Sequence, residues 1–318
     1  MSDKIKVYFL GSGKIAVPIL KVLNESPEID LVGVGTQLDR PAGRNKQLHP
    51  TPVGEFGDEQ GLHTERIPNV NAEDFICKLK SLAPDFVVVV SFGQILRQQL
   101  LDLPRVCCLN VHASLLPKYR GASPINAAII NGESRTGVAF MEMERGLDTG
   151  AVYRTQEVIL DGSERADCLE DDLGDLAADN VISVLQGIIS GEIKPEKQDD
   201  SQATLTRKIK KSDGNINWVE TAVKIEAMVR GYYPWPGAVF SLKTTKKQLN
   251  IHITKARIIS DMQGQPGEVL QADKKGLIIA CGSGALELLE IVPQGKREMT
   301  GTAFLNGYPL EKGSVVGS

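Results

Sequence analysis

The densest run of chemically capable side chains is Cys108-Leu-Asn110-Val-His112-Ala-Ser114-Leu-Leu-Pro117-Lys-Tyr-Arg120-Gly121. Side chains alternate along a strand, so Asn110 and His112 share one face while Val111 packs on the other. An amide and an imidazole on one face can hydrogen-bond the same oxygen, and the imidazole can also exchange a proton near neutral pH. Taken alone, the pair is a weak signal, and a structural histidine satisfied within the core is the better reading of it. Downstream, Gly146-Leu147-Asp148-Thr149-Gly150 sets an acid between two glycines. Such a sequence forms plain turns. The alternative is that the glycines let the backbone carry Asp148 up to His112, orienting the ring and favouring its charged form. Asn, His and Asp together make an oxyanion-stabilising and proton-transferring set without an obvious nucleophile. That composition suits direct transfer between two bound substrates better than a covalent intermediate. The histidines His49, His63, His112 and His252 are scattered, so no multi-histidine metal site is expected.

Two other stretches carry weaker signals. Gly11-Ser12-Gly13-Lys14-Ile15-Ala16 matches the G-x-G-x-x-A dinucleotide fingerprint, which on its own suggests an NAD-dependent oxidoreductase. The ribose-holding acid is missing, however, because the second strand ends Gly33-Val-Gly-Thr-Gln37 with no acid before Asp39. A tight turn that needs small residues is the competing reading. Asp39-Arg40-Pro-Ala-Gly-Arg44-Asn-Lys46 reads as a mobile basic loop, either solvated or gripping phosphates.

These residues need a scaffold. Residues 6–10, 31–35, 86–90 and 106–111 read as strands, with helices over 72–82, 94–101 and 167–189. Continuously apolar strands alternating with helices predict an α/β fold, a Rossmann-like parallel sheet covered on both faces. Residues 194–203 are polar and aperiodic and read as part of a linker. Beyond a short helix over 219–231, alternating runs at 238–242, 249–258, 267–272, 276–280 and 285–292 predict a small β-barrel. The expected division is a catalytic domain over 1–193, a linker over 194–206 and a second domain over 207–318.

Composition agrees with two globular domains: 318 residues, 42% hydrophobic and 24% charged. The net charge of −4 hides an asymmetry, with 20 Lys and Arg against 30 Asp and Glu over residues 1–200, but 16 against 10 over 201–318. A basic second part suggests a polyanionic partner. Five cysteines with no C-x-x-C pair suit a reducing cytoplasm. The N-terminus runs from charge into a strand without a signal peptide, and no apolar stretch approaches the roughly 18 residues of a membrane span. A soluble, cytoplasmic monomer is expected.

With Asn110-Val-His112 leading into Ser114-Leu-Leu-Pro117-x-x-x-Gly121, and Gly146-Leu-Asp148-Thr-Gly150 downstream, the chain resembles the folate-dependent formyltransferases. Three further stretches resemble the branch that acts on methionyl-tRNA: Asp39-Arg-Pro-Ala-Gly-Arg44, Lys208-Ile-Lys-Lys-Ser-Asp213-Gly-Asn-Ile-Asn-Trp218 and Pro234-Trp-Pro-Gly237. Gln294-Gly-Lys296-Arg-Glu-Met299 followed by Phe304-Leu-Asn-Gly307 resembles the family's C-terminal stretch. The resemblance implies that 10-formyltetrahydrofolate is the co-substrate, initiator methionyl-tRNA the acceptor, and no metal is used. It implies that Asn110, His112 and Asp148 are catalytic. Ser114, Leu115, Leu116 and Pro117 would line the folate site, with Phe92, Gly93, Ile95 and Leu96 in the wall of the pterin pocket. Arg40, Arg44 and Lys46 would meet the tRNA acceptor end, Lys208, Lys210 and Lys211 would add contacts, and the second domain would be an OB-like tRNA-binding barrel. Two positions depart from the pattern: Gly11-Ser12-Gly13 replaces Gly-Thr-Pro, and Phe92 replaces a tyrosine. A formyltransferase for a small amine or sugar-nucleotide is the alternative within the group, and it would need no basic second domain.

Overall fold

The computed structural model describes residues 4–42, 47–243 and 248–317. Internal contacts divide the chain into two units, one of Met1–Pro124, Arg135–Ile159 and Leu169–Thr206, the other of Ile125–Ser134, Leu160–Cys168 and Arg207–Ser318. The second unit's main segment begins at Arg207. The stretch expected as a linker, 194–206, groups with the first unit, and two short excursions of the N-terminal half group with the second.

In chain order the elements up to the boundary are β1 (Ile5–Gly11), α1 (Ala16–Glu25), β2 (Ile29–Thr36), β3 (Arg40–Ala42), β4 (Gln47–His49), α2 (Pro52–Glu59), β5 (Thr64–Arg66), α3 (Glu73–Leu82), β6 (Phe86–Val90), α4 (Gln98–Leu101), β7 (Cys107–His112), β8 (Arg120–Gly121), α5 (Pro124–Ile130), β9 (Arg135–Glu142), β10 (Val152–Ile159), α6 (Ala166–Ser190) and β11 (Leu205–Thr206). The main sheet runs β10-β9-β7-β6-β1-β2-β5. Neighbours from β7 through to β5 pair in parallel, while β9 and β10 add on antiparallel. Every residue of β6, Phe-Val-Val-Val-Val, is buried, as a central strand covered on both faces requires. The first helix buries Ala16, Ile19, Leu20 and Leu23, its apolar stripe at helical spacing.

The Gly-Ser-Gly turn after β1 is built by packing. A Cβ on Gly13 would lie 2.5 Å from Ser91 Oγ, and Ser12 Oγ accepts from Gln37 N at 3.1 Å. Small residues are needed there for close approach between the ends of β1 and β6. The helix expected over 94–101 shrinks to α4, because Gln94 is drawn into the preceding loop. Its Oε1 accepts from Val70 N and its Nε2 donates to Ile67 O, both at 2.9 Å. The basic loop expected after β2 has a hairpin stem, with Arg40 of β3 opposite His49 of β4.

The second unit adds α7 (Ala222–Gly231), β12 (Ala238–Lys243), β13 (Gln248–Ile259), β14 (Val269–Asp273), β15 (Gly276–Ala280), β16 (Ala285–Pro293), β17 (Met299–Thr300) and α8 (Gly301–Gly307). Thr221 caps α7 by accepting from Lys224 N at 3.2 Å, which starts the helix later than residue 219. The strands run β12-β13-β16-β15-β14, all antiparallel. The C-terminal residues close this sheet into a barrel: Val315 bridges Glu268 beside β14, and Gly317 bridges Ser241 of β12. Its interior holds Trp218, Phe240, Ile251, Ile279, Leu286 and Phe304, all buried. Among the described residues no helix is long and apolar enough to cross a membrane.

Candidate active site

Strand β7 delivers Asn110 and His112 to the carboxyl edge of the parallel sheet, where ligands of open α/β sheets bind. Val89 of β6 lies in register with Asn110, so the residues after β6 emerge beside it. Asn110 is half-buried, and its amide makes no hydrogen bond to another described residue. The His112 side chain is 7% exposed and that of Asp148 is 18% exposed.

The loop after β7 turns back on itself. Ser114, fully buried, donates from its hydroxyl to the Lys118 carbonyl at 2.7 Å. That turn brings the Tyr119 carbonyl to 3.0 Å from His112 Nε2. A carbonyl can only accept, so Nε2 carries the proton and Nδ1 is left facing Asp148 Oδ2, 3.7 Å away. The gap is too long for a direct hydrogen bond. Asp148 Oδ2 accepts from Gly121 N at 2.7 Å, which holds the carboxylate against this loop. Gly121 has φ +112°, and a Cβ there would lie 2.2 Å from the Thr206 carbonyl in the β8–β11 pairing. Only glycine serves both demands.

The trio expected from the sequence is therefore assembled at one edge. Burial pushes the neighbouring Cys107 thiol up to about 12 and pushes Cys108 up as well, which favours the protonated, weakly nucleophilic form of both.

The remaining expected residues divide by exposure. Leu115, Leu116 and Pro117 are half-buried, whereas Ser114 spends its hydroxyl on the turn. Ile95 is 86% exposed and Gly93 is exposed, but Leu96 and Phe92 are buried. Phe92 packs in the cluster with Tyr8, Leu10, Ile67 and Leu96, so its ring serves the core. Lys208, Lys210 and Lys211 are exposed in the second unit. Arg40 is exposed and donates to Gln37 Oε1, while Arg44 and Lys46 lie outside the described residues. Sequence reasoning missed the Tyr119 carbonyl, the Gly121 N–H and Gln198. The first two adjoin the motif, whereas Gln198 gave no signal within its polar stretch.

Comparison with known proteins matches residues 4–185 to the formyl transferase family and residues 208–309 to the formyl transferase C-terminal domain. A methionyl-tRNA formyltransferase of Geobacter metallireducens is 39% identical over 98% of this chain and 99% of its own. Among solved structures, HypX from Aquifex aeolicus in complex with tetrahydrofolic acid has 16% identity and a TM-score of 0.60, covering 99% of this chain and 51% of that one. An N-formyltransferase from Helicobacter canadensis, solved with folinic acid and dTDP-3-aminofucose, has 16% identity and a TM-score of 0.62 over 89% of this chain and 98% of that one. The structural likenesses establish the fold. Near-complete mutual coverage at 39% identity, joined to both domain matches, establishes that the chain belongs to the methionyl-tRNA formyltransferase family of formyl transferases.

Proposed function

We propose that the chain transfers the formyl group of 10-formyltetrahydrofolate to the α-amine of methionine on initiator methionyl-tRNA, in the cytoplasm, as a step of translation initiation. The observation that carries this reading is the Asn110 amide, without a partner among the described residues, on the strand face it shares with a His112 ring faced by Asp148 Oδ2 at 3.7 Å. The residues fit a folate. An unengaged amide meets the formyl oxygen, and Ile95, 86% exposed after β6, offers apolar surface to a flat ring. Leu115, Leu116 and Pro117 would extend that wall.

The bound folate supplies a formyl carbon on N10, to which the methionyl amine forms a C–N bond before the bond to N10 breaks. Asn110 Nδ2 donates to the oxygen on which negative charge develops. Because His112 Nε2–H is committed to the Tyr119 carbonyl, Nδ1 is the ring atom that exchanges a proton with the site. Asp148, held by Gly121 N–H, stabilises the protonated ring and assists the proton's passage from the amine to N10. Catalysis would belong to residues 1–193 and tRNA contact to Arg40, Arg44, Lys46 and the basic second domain over 207–318, with 194–206 between them.

The test is incubation with 10-formyltetrahydrofolate and methionyl initiator tRNA. Formylmethionyl-tRNA is expected. No product on the tRNA, with formylation of an amino-sugar nucleotide instead, would favour the small-amine alternative, the Helicobacter N-formyltransferase having been solved with dTDP-3-aminofucose.

A further inference from the structure

Asp148 has φ +53°, a left-handed conformation that a non-glycine residue keeps only where its surroundings fix it. Its own carbonyl and that of Gly150 both accept from Gln198 Nε2, at 2.8 and 2.7 Å. The other end of that amide, Oε1, accepts from Arg120 Nε at 3.0 Å and Nη2 at 2.9 Å. The amide can sit only this way round, because two carbonyls need donors and a guanidinium needs an acceptor. Every polar atom of the Gln198 side chain is thereby engaged at a residue only 8% exposed. Arg120 is 5% exposed, and its Nη2 also reaches Asp200 Oδ1 at 2.7 Å, so the buried cation keeps a counter-charge.

These contacts converge on three consecutive residues. The Tyr119 carbonyl fixes His112 Nε2, Gly121 N–H fixes the Asp148 carboxylate, and Arg120, through Gln198, fixes the Asp148 backbone. We propose that Arg120 and Gln198 are positioning residues, a buried clamp that sets the Asp148 carboxylate against His112. The proposal rests on the formyl-transfer reading above for the meaning of Asp148. Its rival is that the clamp merely fastens residues 194–206 to the sheet.

Gln198→Glu separates the two. A carboxylate still accepts from Arg120 and strengthens that pairing, so the fastening survives. It has no N–H for the Asp148 and Gly150 carbonyls and turns negative oxygen toward them. Gln198→Met removes the same donors without charge and covers the case in which the glutamate variant fails to fold. The expected result is a kcat lowered by up to about 10²-fold, the scale of a misplacement of about 1 Å. KM for tRNA and folate should stay within about twofold, since Arg120 and Gln198 are both buried. The His112 ring resonances of substrate-free protein, labelled with ¹⁵N-histidine, should also move. Unchanged kcat and unchanged resonances in a folded variant would overturn the proposal, and a lowered thermal midpoint with unchanged kcat would assign the clamp to fastening. The resonances need no substrate. A protein that formylated no tRNA yet showed the shift would therefore lose the functional reading while keeping the clamp.

Discussion

At the residue scale, the two hydrogen-bonding groups of β7 have different tasks, and variants separate them. Asn110 has no structural partner among the described residues, so Asn110→Ala should fold normally. It should lower kcat by about 10²–10³-fold, the usual cost of one oxyanion donor. The affinity for tRNA, measured by filter binding, should stay at the wild-type level. Asp148→Asn is a sharper probe, because asparagine tolerates the left-handed conformation and its amide oxygen can still accept from Gly121 N–H. Thermal unfolding should be almost unchanged while single-turnover formylation is lost across the accessible pH range. The thiols offer a check on burial: Cys77 and Cys168 are exposed, and Cys107, Cys108 and Cys281 are buried. Two thiols should react with a maleimide in native protein and five after denaturation. Burial pushes Cys107 and Cys281 up to about 12, so the folded state keeps protons that the unfolded chain releases above about 8.5. Stability should therefore fall as pH rises through that window and be unaffected by these groups below it.

At the element scale, the site depends on a two-residue pairing between β8 and β11. Gly121→Ala puts a methyl group against the Thr206 carbonyl and strains a positive φ, at a cost of about 1–3 kcal/mol. Limited proteolysis should then cut residues 194–206 faster than in the parent. This element also marks the limit of what the sequence discloses. The buried parallel strands were legible because Phe86–Val90 is continuously apolar, and the candidate trio Asn110, His112 and Asp148 because the motifs that carry it together resemble a family signature. Residues 194–206 read as a linker because their order rests on side chains meeting backbone groups, such as Gln198 on the Asp148 and Gly150 carbonyls. No hydrophobic period records such contacts. Strand β9 escaped notice for another reason: its inner residues are buried without alternation, Thr-Gly-Val-Ala-Phe-Met, and an apolar run that short does not declare its period.

For the whole molecule, the charge asymmetry has an electrostatic signature. Lys208, Lys210 and Lys211 are exposed near the start of the second unit's long segment. If all three meet phosphates, their replacement by alanine should weaken tRNA binding and reduce the magnitude of the slope of log K against log salt by about 0.9 per lysine lost, or somewhat less on single-stranded RNA. Equal slopes in the two proteins would remove these lysines from the interface. The barrel expected of the second unit is present, but the segment that closes it was not foreseen, because Val315–Gly317 is too short to read as a strand.

That closure has a consequence for how the protein is made. Asn215 bridges Val239 at one end of the outer edge of β12, but the Ser241 end of that edge must wait for Gly317, and the intervening chain emerges at about 5–20 residues per second. For several seconds of synthesis the nascent barrel therefore offers an unpaired edge to its neighbours on the same messenger, so crowded polysomes are the setting in which this domain is most exposed to mispairing.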